Sequence, residues 1–176
     1  MIIKYIFFYA YCFFLFSCQS EQQKNQEIIK TWMNKKIIFP TTLEYSKQDS
    51  LWKAREHKKF TILTVIDSSG CSDCKLNLYE WKKIMQQADN IKDYVTFLFI
   101  VHPERISKIE WIRKKNSFHH PIFYDPKNKM QTLNHFHTNS MFRTFLLNSK
   151  NEVILVGSPI NNFKLWDLYK TTITKE

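Results

Sequence analysis

Four cysteines stand in the 176-residue chain, at positions 12, 18, 71 and 74, and two of them form the run Cys71-Ser72-Asp73-Cys74. Cysteines at i and i+3 on one helical turn carry side chains about 5 to 6 Å apart, within reach of a disulfide whose Cα separation runs from ~4.4 to 6.8 Å. Such a pair can hold a disulfide, exchange one, or ligate a metal. In exchange the thiolate is the nucleophile, and Cys71 at a helix start meets unpaired backbone N–H groups and the positive end of the dipole, which favour ionisation. That makes Cys71 the attacking thiol and Cys74, one turn deeper, the resolving thiol that opens the mixed disulfide. Asp67, four residues before Cys71, is either a proton acceptor for this chemistry, an anion that raises the thiol pKa, or simply a turn former. His102 faces the same edge if its strand runs parallel to the one before Cys71; otherwise it is a solvated turn histidine. Metal binding needs further ligands, but His119 and His120 are adjacent and His135 and His137 two apart, neither with the His-x₃₋₅-His spacing of a zinc finger. No metal and no cofactor is expected.

The flanking residues place this pair at a strand-to-helix junction. Phe60 to Ile66 is β-branched and almost continuously apolar, the pattern of a strand buried on both faces. Asp67 to Gly70 stops it. From Cys71 to Ala88, Cys74, Leu78, Trp81 and Met85 fall on one helical stripe. A second apolar strand is predicted over Tyr94 to Val101, then a helix from Glu104 to Lys115 with Ile106, Ile109 and Ile112 inward, a strand over Pro121 to Tyr124 and a short helix over Pro126 to Phe136. Arg143 to Leu147 and Val153 to Val156 flank an Asn-rich turn, and Asn161 or Asn162 caps a last helix carrying Phe163, Leu165, Trp166, Leu168 and Tyr169. Upstream, the pattern predicts a helix over Ile28 to Lys35, a short strand over Ile37 to Phe39 closed by Pro40, and a helix capped by Ser46 or Asp49. Strand and helix alternating, then a hairpin and a closing helix, is an α/β plan with a mixed sheet between helices.

The start of the chain is different in kind. Lys4 precedes an apolar run from Ile6 to Phe16, too short for a comfortable transmembrane helix and matched to the h-region of a secretory signal. Leu15-Phe16-Ser17-Cys18 resembles a bacterial lipobox, with Cys18 the lipidated mature N-terminus and residues 19–27 a polar tether; the alternative is an uncleaved N-terminal anchor. Either way the domain is exported. The expected organisation is a signal over 1–17, a lipid-anchored tether over 18–27 and a folded domain over 28–176. A net charge of +10 with 26 Lys and Arg raises the question of nucleic acid, but only four of these are Arg and the longest basic run is Arg113-Lys114-Lys115. Base readout prefers clustered Arg forks, so the charge is read as solvated surface, and no nucleic-acid partner is expected. A hydrophobic fraction of 44% and only two glycines exclude a disordered or Gly-rich low-complexity chain.

The order of elements, with Cys71-Ser72-Asp73-Cys74-Lys75 opening the first long helix, resembles the thioredoxin superfamily from about Ser46 to Ile173. The closest likeness is to its exported, membrane-anchored disulfide oxidoreductases, with a strand and helix inserted centrally. The resemblance implies a thiol-disulfide oxidoreductase in the bacterial envelope, facing the periplasm or exterior, with exported thiol or disulfide proteins as partners. The alternatives are a non-catalytic surface lipoprotein or binding module on the same fold and, further off, a metal-binding CxxC. This chain departs from the family at Gly70, where Trp is usual; at Ser72-Asp73, for Gly-Pro or Pro-Pro; at Val65, for a buried polar residue; and at Tyr79, for a helix-kinking Pro. Phe142 stands where the family places its cis-proline opposite the active cysteines.

Overall fold

The computed structural model describes residues 21–41, 43–45, 57–68, 72–88 and 90–175. Residues 1–32 and 33–176 are separate units. In the first, residues 21–32 are helical, so the helix expected over Ile28 to Lys35 begins earlier and stops sooner, and the described part of the polar stretch is helical. Cys18, the expected lipidation residue, lies outside the described residues, as do Cys71 and the helix expected after Ser46 or Asp49.

The second unit is built on a six-stranded sheet. Its strands are β1 (Glu44–Tyr45), β2 (Phe60–Asp67), β3 (Val95–His102), β4 (Ile122–Tyr124), β5 (Thr144–Asn148) and β6 (Val153–Val156), in the order β1-β4-β3-β2-β5-β6. The β2/β3 and β3/β4 pairs are parallel, whereas β2/β5, β5/β6 and β1/β4 are antiparallel. Central β2 and β3 are buried along their whole length except for the last residue of each, Asp67 and His102. That burial is why their sequences run largely apolar without alternation, with the ionisable Asp67 and His102 only at their ends.

Helices α1 (Ser72–Leu76), α2 (Leu78–Gln86), α3 (Ile106–Lys115), α4 (Lys129–Asn134) and α5 (Phe163–Lys175) complete the unit with a 3₁₀ turn at Ser140–Phe142. The single helix expected over Cys71 to Ala88 is two helices, because Asn77 takes a left-handed conformation (φ 45°, ψ 39°). Asparagine tolerates that region better than most residues, and the break sits two positions before Tyr79. Past it, Leu78, Trp81 and Ile84 are buried, with the Trp81 ring edge-on to Phe97 and Phe99 at 6.3 and 5.2 Å. In α3, Ile109 and Ile112 are buried as expected. Tyr124 donates to Glu110, which also takes a bidentate contact from Arg113, tying α3 to β4; the Arg113 bond holds the Glu110 carboxyl below its usual range. In α5 the inward residues are Trp166, Tyr169 and Ile173, while Phe163 and Leu168 are exposed. Asn162 is the residue that caps α5, its Oδ1 accepting from the Leu165 N–H at 3.1 Å.

No strand forms over Ile37 to Phe39. A single bridge pairs Lys36 with Glu152, and the Ile38 backbone is instead satisfied by a side chain. Asn134, buried in α4, accepts from the Ile38 N–H at 2.8 Å and donates Nδ2 to the Ile38 carbonyl at 2.8 Å. One amide thus does the hydrogen bonding of a neighbouring strand. The two-residue edge strand β1 has no counterpart in the sequence reading.

Candidate functional site

The parallel register sets Asp67 directly beside His102 at the end of the two central strands. Immediately beyond, Ser68 is fully buried. Its backbone N–H and its hydroxyl both donate to the His102 carbonyl, at 3.1 and 2.9 Å, and its Oγ accepts from the Glu104 N–H at 3.1 Å. Two chain ends that would otherwise splay are therefore stitched together just before Cys71 in the sequence. His102 is half-buried, and its Nδ1–H donates to the Asp125 carbonyl at 2.9 Å. It faces the predicted edge, held there by a structural bond.

Arg143 closes this edge from the other side. Its carbonyl accepts from the Val65 N–H at 3.0 Å, so the residue before β5 continues the pairing with β2. The guanidinium donates through Nε to the His137 carbonyl at 2.6 Å and through Nη2 to Gln131 Oε1 at 3.3 Å. Burial pushes its pKa down, while the charge of Asp67 favours the cation. Asp67, His102, Asp125, Gln131 and Arg143 line one small cleft. Beneath it, the Thr64 and Thr144 hydroxyls pair at 3.3 Å inside the core, beside Val65, which is buried and apolar as its type requires.

Cys74 sits on α1 and is disulfide-bonded. It is exposed, which corrects the expectation of a thiol on the buried stripe: with the helix broken at Asn77, the stripe begins at Leu78. Between the cysteines, the Asp73 carboxylate pairs with Lys115 Nζ at 3.3 Å. Phe142 is buried in the 3₁₀ turn, edge-on to His137 at 5.6 Å, and no peptide bond among the described residues is cis. Phe142 thus packs inward from the 3₁₀ turn, at the position where the resemblance expects a cis-proline. Among the described residues no group of three or more His, Cys, Asp or Glu side chains is placed to hold a metal.

No family model and no curated protein matches the sequence. Solved structures do match the fold. The thioredoxin domain of a thiol-disulfide oxidoreductase from Bacteroides vulgatus superposes with a TM-score of 0.59 at 11% identity, over 81% of this chain and 98% of that one. The domain has the thioredoxin fold. A protein from Bacteroides thetaiotaomicron described as a candidate disulfide isomerase gives 0.59 at 16%, over 82% and 91%. A variant of peroxiredoxin Q from Xanthomonas campestris gives 0.56 at 12%, over 75% and 90%. The mixed sheet between helices is the one expected from the sequence, and the parallel β2/β3 pair meets the condition on which His102 shares the edge of Asp67.

Sequence reasoning singled out Cys71, Cys74, Asp67, His102 and Phe142, and the structure brings Asp67 and His102 together at the sheet edge from which the chain runs on to Cys71. It missed Ser68, Asp125, Arg143 and Lys115. Arg143 carried a readable signal, since it abuts the apolar run of β5 and thus opens a strand at the same edge. Ser68 looked like any turn serine, because only its burial distinguishes it.

Proposed function

We propose that this chain is an exported, membrane-anchored thiol-disulfide oxidoreductase whose working group is the Cys71/Cys74 pair. The observation that carries the reading is a disulfide-bonded, exposed Cys74 on the helix that follows the doubly buried strand β2 of a thioredoxin fold. The B. vulgatus and B. thetaiotaomicron structures, one the thioredoxin domain of a thiol-disulfide oxidoreductase and the other described as a candidate disulfide isomerase, support it.

In the reducing direction the Cys71 thiolate attacks one sulfur of a partner disulfide, forming a mixed disulfide and releasing the partner's other sulfur as a thiolate that takes up a proton. Cys74, deprotonated, then attacks the Cys71 sulfur. The partner's second thiol leaves, the Cys71–Cys74 disulfide forms, and two electrons have passed to the partner. The reverse sequence oxidises a dithiol. The partners are exported thiol or disulfide proteins, and the site of action is the bacterial envelope, with lipid on Cys18 as the anchor. Mass spectrometry of the protein from its native membrane is expected to show residues 1–17 absent and acyl groups on Cys18; an intact Met1 refutes the lipoprotein part alone.

The test of the chemistry is trapping. Cys74→Ser in the envelope, quenched with acid and run without reductant, is expected to accumulate mixed disulfides through Cys71. A second reading, a non-catalytic binding module, draws on one observation: Phe142 packs into the core where a proline would present backbone to a partner. Absence of adducts from both Cys74→Ser and Cys71→Ser proteins decides for that reading.

A further inference from the structure

We propose that Lys115, at the end of α3, is a positioning residue for the Cys71/Cys74 pair: by holding the Asp73 carboxylate in an ion pair it sets how readily the pair is reduced. The inference rests on the reading of Cys71 and Cys74 as an exchange pair and adds to it a control that lies outside the CxxC. Asp73 lies between Cys71 and Cys74 in sequence, next to Cys74, and a negative charge within the same turn disfavours a thiolate there. Lys115 stands 42 positions away in sequence, on a different helix, yet its ammonium lies 3.3 Å from Asp73 Oδ2. The same ammonium sits 5.3 Å from the centre of the Trp111 ring, and Trp111 is 61% exposed. An indole and a carboxylate together limit where that long side chain can go. The neighbouring cation Arg113 is committed to Glu110, so α3 presents Lys115 to the redox helix.

Both partners are about half exposed, at 56% and 46%. A pair of this kind is worth a factor of about 1.5 to 5 in an equilibrium constant. That is a tuning effect, and it has a sign. Reduction by dithiothreitol converts the Cys71–Cys74 disulfide and the reagent's dithiol into two protein thiols and the cyclic oxidised reagent. Two electrons enter the protein S–S bond and each sulfur takes one proton, which Cys71 gives up again as it ionises. Lys115→Gln leaves the Asp73 charge uncompensated and weakens that ionisation, so the reduced form is disfavoured. Asp73→Asn removes the charge and does the opposite.

The experiment is an equilibrium titration of the full chain in dithiothreitol buffers at pH 7.5, read by alkylation mass shift. Lys115→Gln is expected to lower the constant for reduction about 1.5- to 5-fold, equivalent to ~5 to 21 mV at ~29.6 mV per tenfold. Lys115→Arg is expected to restore the wild-type value. In the Asp73→Asn background, Lys115→Gln is expected to shift the constant by less than about 1.3-fold. In 1 M salt, where the Debye length falls to ~3 Å from ~10 Å at 0.1 M, the Lys115→Gln effect is expected to shrink. No shift with Lys115→Gln, or the same shift whether or not Asp73 is present, overturns the proposal. The absolute wild-type constant tests the exchange reading and the differences between variants test Lys115, so the two fail separately.

Discussion

Replacing Ser68 by alanine removes a hydroxyl that joins the ends of β2 and β3. Its Oγ makes two bonds, to the His102 carbonyl at 2.9 Å and from the Glu104 N–H at 3.1 Å. The His102 carbonyl keeps its bond from the Ser68 N–H, so the loss falls on the hydroxyl's two interactions and on the Glu104 N–H left behind. Neutral hydrogen bonds contribute ~0.5 to 1.5 kcal/mol each, and an abandoned buried donor costs ~1 to 3 kcal/mol. The Glu104 N–H bond is only part-buried, so the lower part of that range applies. The expected loss is about 2 kcal/mol, which for a domain of this size lowers Tm by ~4 to 8 °C. Thermal unfolding followed by circular dichroism measures it. A change under ~1 °C would refute the reasoning, because it would mean the two strand ends hold together without the hydroxyl.

Two further outcomes are expected. His120 sits edge-on to Phe99 and Phe118 with its Nε2–H on the Phe97 carbonyl at 2.8 Å, and burial holds its pKa below the usual histidine value. The folded state therefore resists protonation: this contribution to stability is intact above the unfolded value of ~6.5 and is lost as pH falls below it, at up to ~1.4 kcal/mol per pH unit. Urea unfolding from pH 7.5 to 5 is expected to show a shallower acid slope for His120→Gln than for wild type; parallel slopes contradict it. Gly157 carries φ +123°, and a Cβ there would stand 3.0 Å from the Leu165 side chain. Gly157→Ala is expected to cost ~1 to 3 kcal/mol by urea unfolding, and an unchanged midpoint contradicts it.

The central strands were legible because burial on both faces leaves a continuous apolar signature that no surface element imitates, and the strand-to-helix junction at Cys71 followed from it. The hairpin of β5 and β6 was equally legible from Asn148 and Asn151, which hold its turn: Asn148 Oδ1 accepts from the N–H groups of Lys150 and Glu152, and Asn151 has positive φ. What escaped was decided by single residues acting across the fold. Helical periodicity runs through Asn77 unbroken, so the stripe gave no sign that the backbone turns left-handed there and leaves Cys74 on the surface. Ile37 to Phe39 has strand composition but finds the Asn134 amide as its partner, 96 residues away. Asp73 stood out by its place between the cysteines, but its partner Lys115, 42 positions on, read as surface charge until α3 packs. Tertiary neighbours, which local pattern does not encode, account for each difference.

The claim at the centre of this account is that Cys71 and Cys74 exchange electrons with partners and do not merely brace the fold. A redox titration of the wild-type pair against buffers of known potential tests it most directly. An exchanging pair is expected to show a potential above about −300 mV, in the range where thiol exchange with partners is reversible. A potential below about −300 mV, the region of structural disulfides, contradicts it.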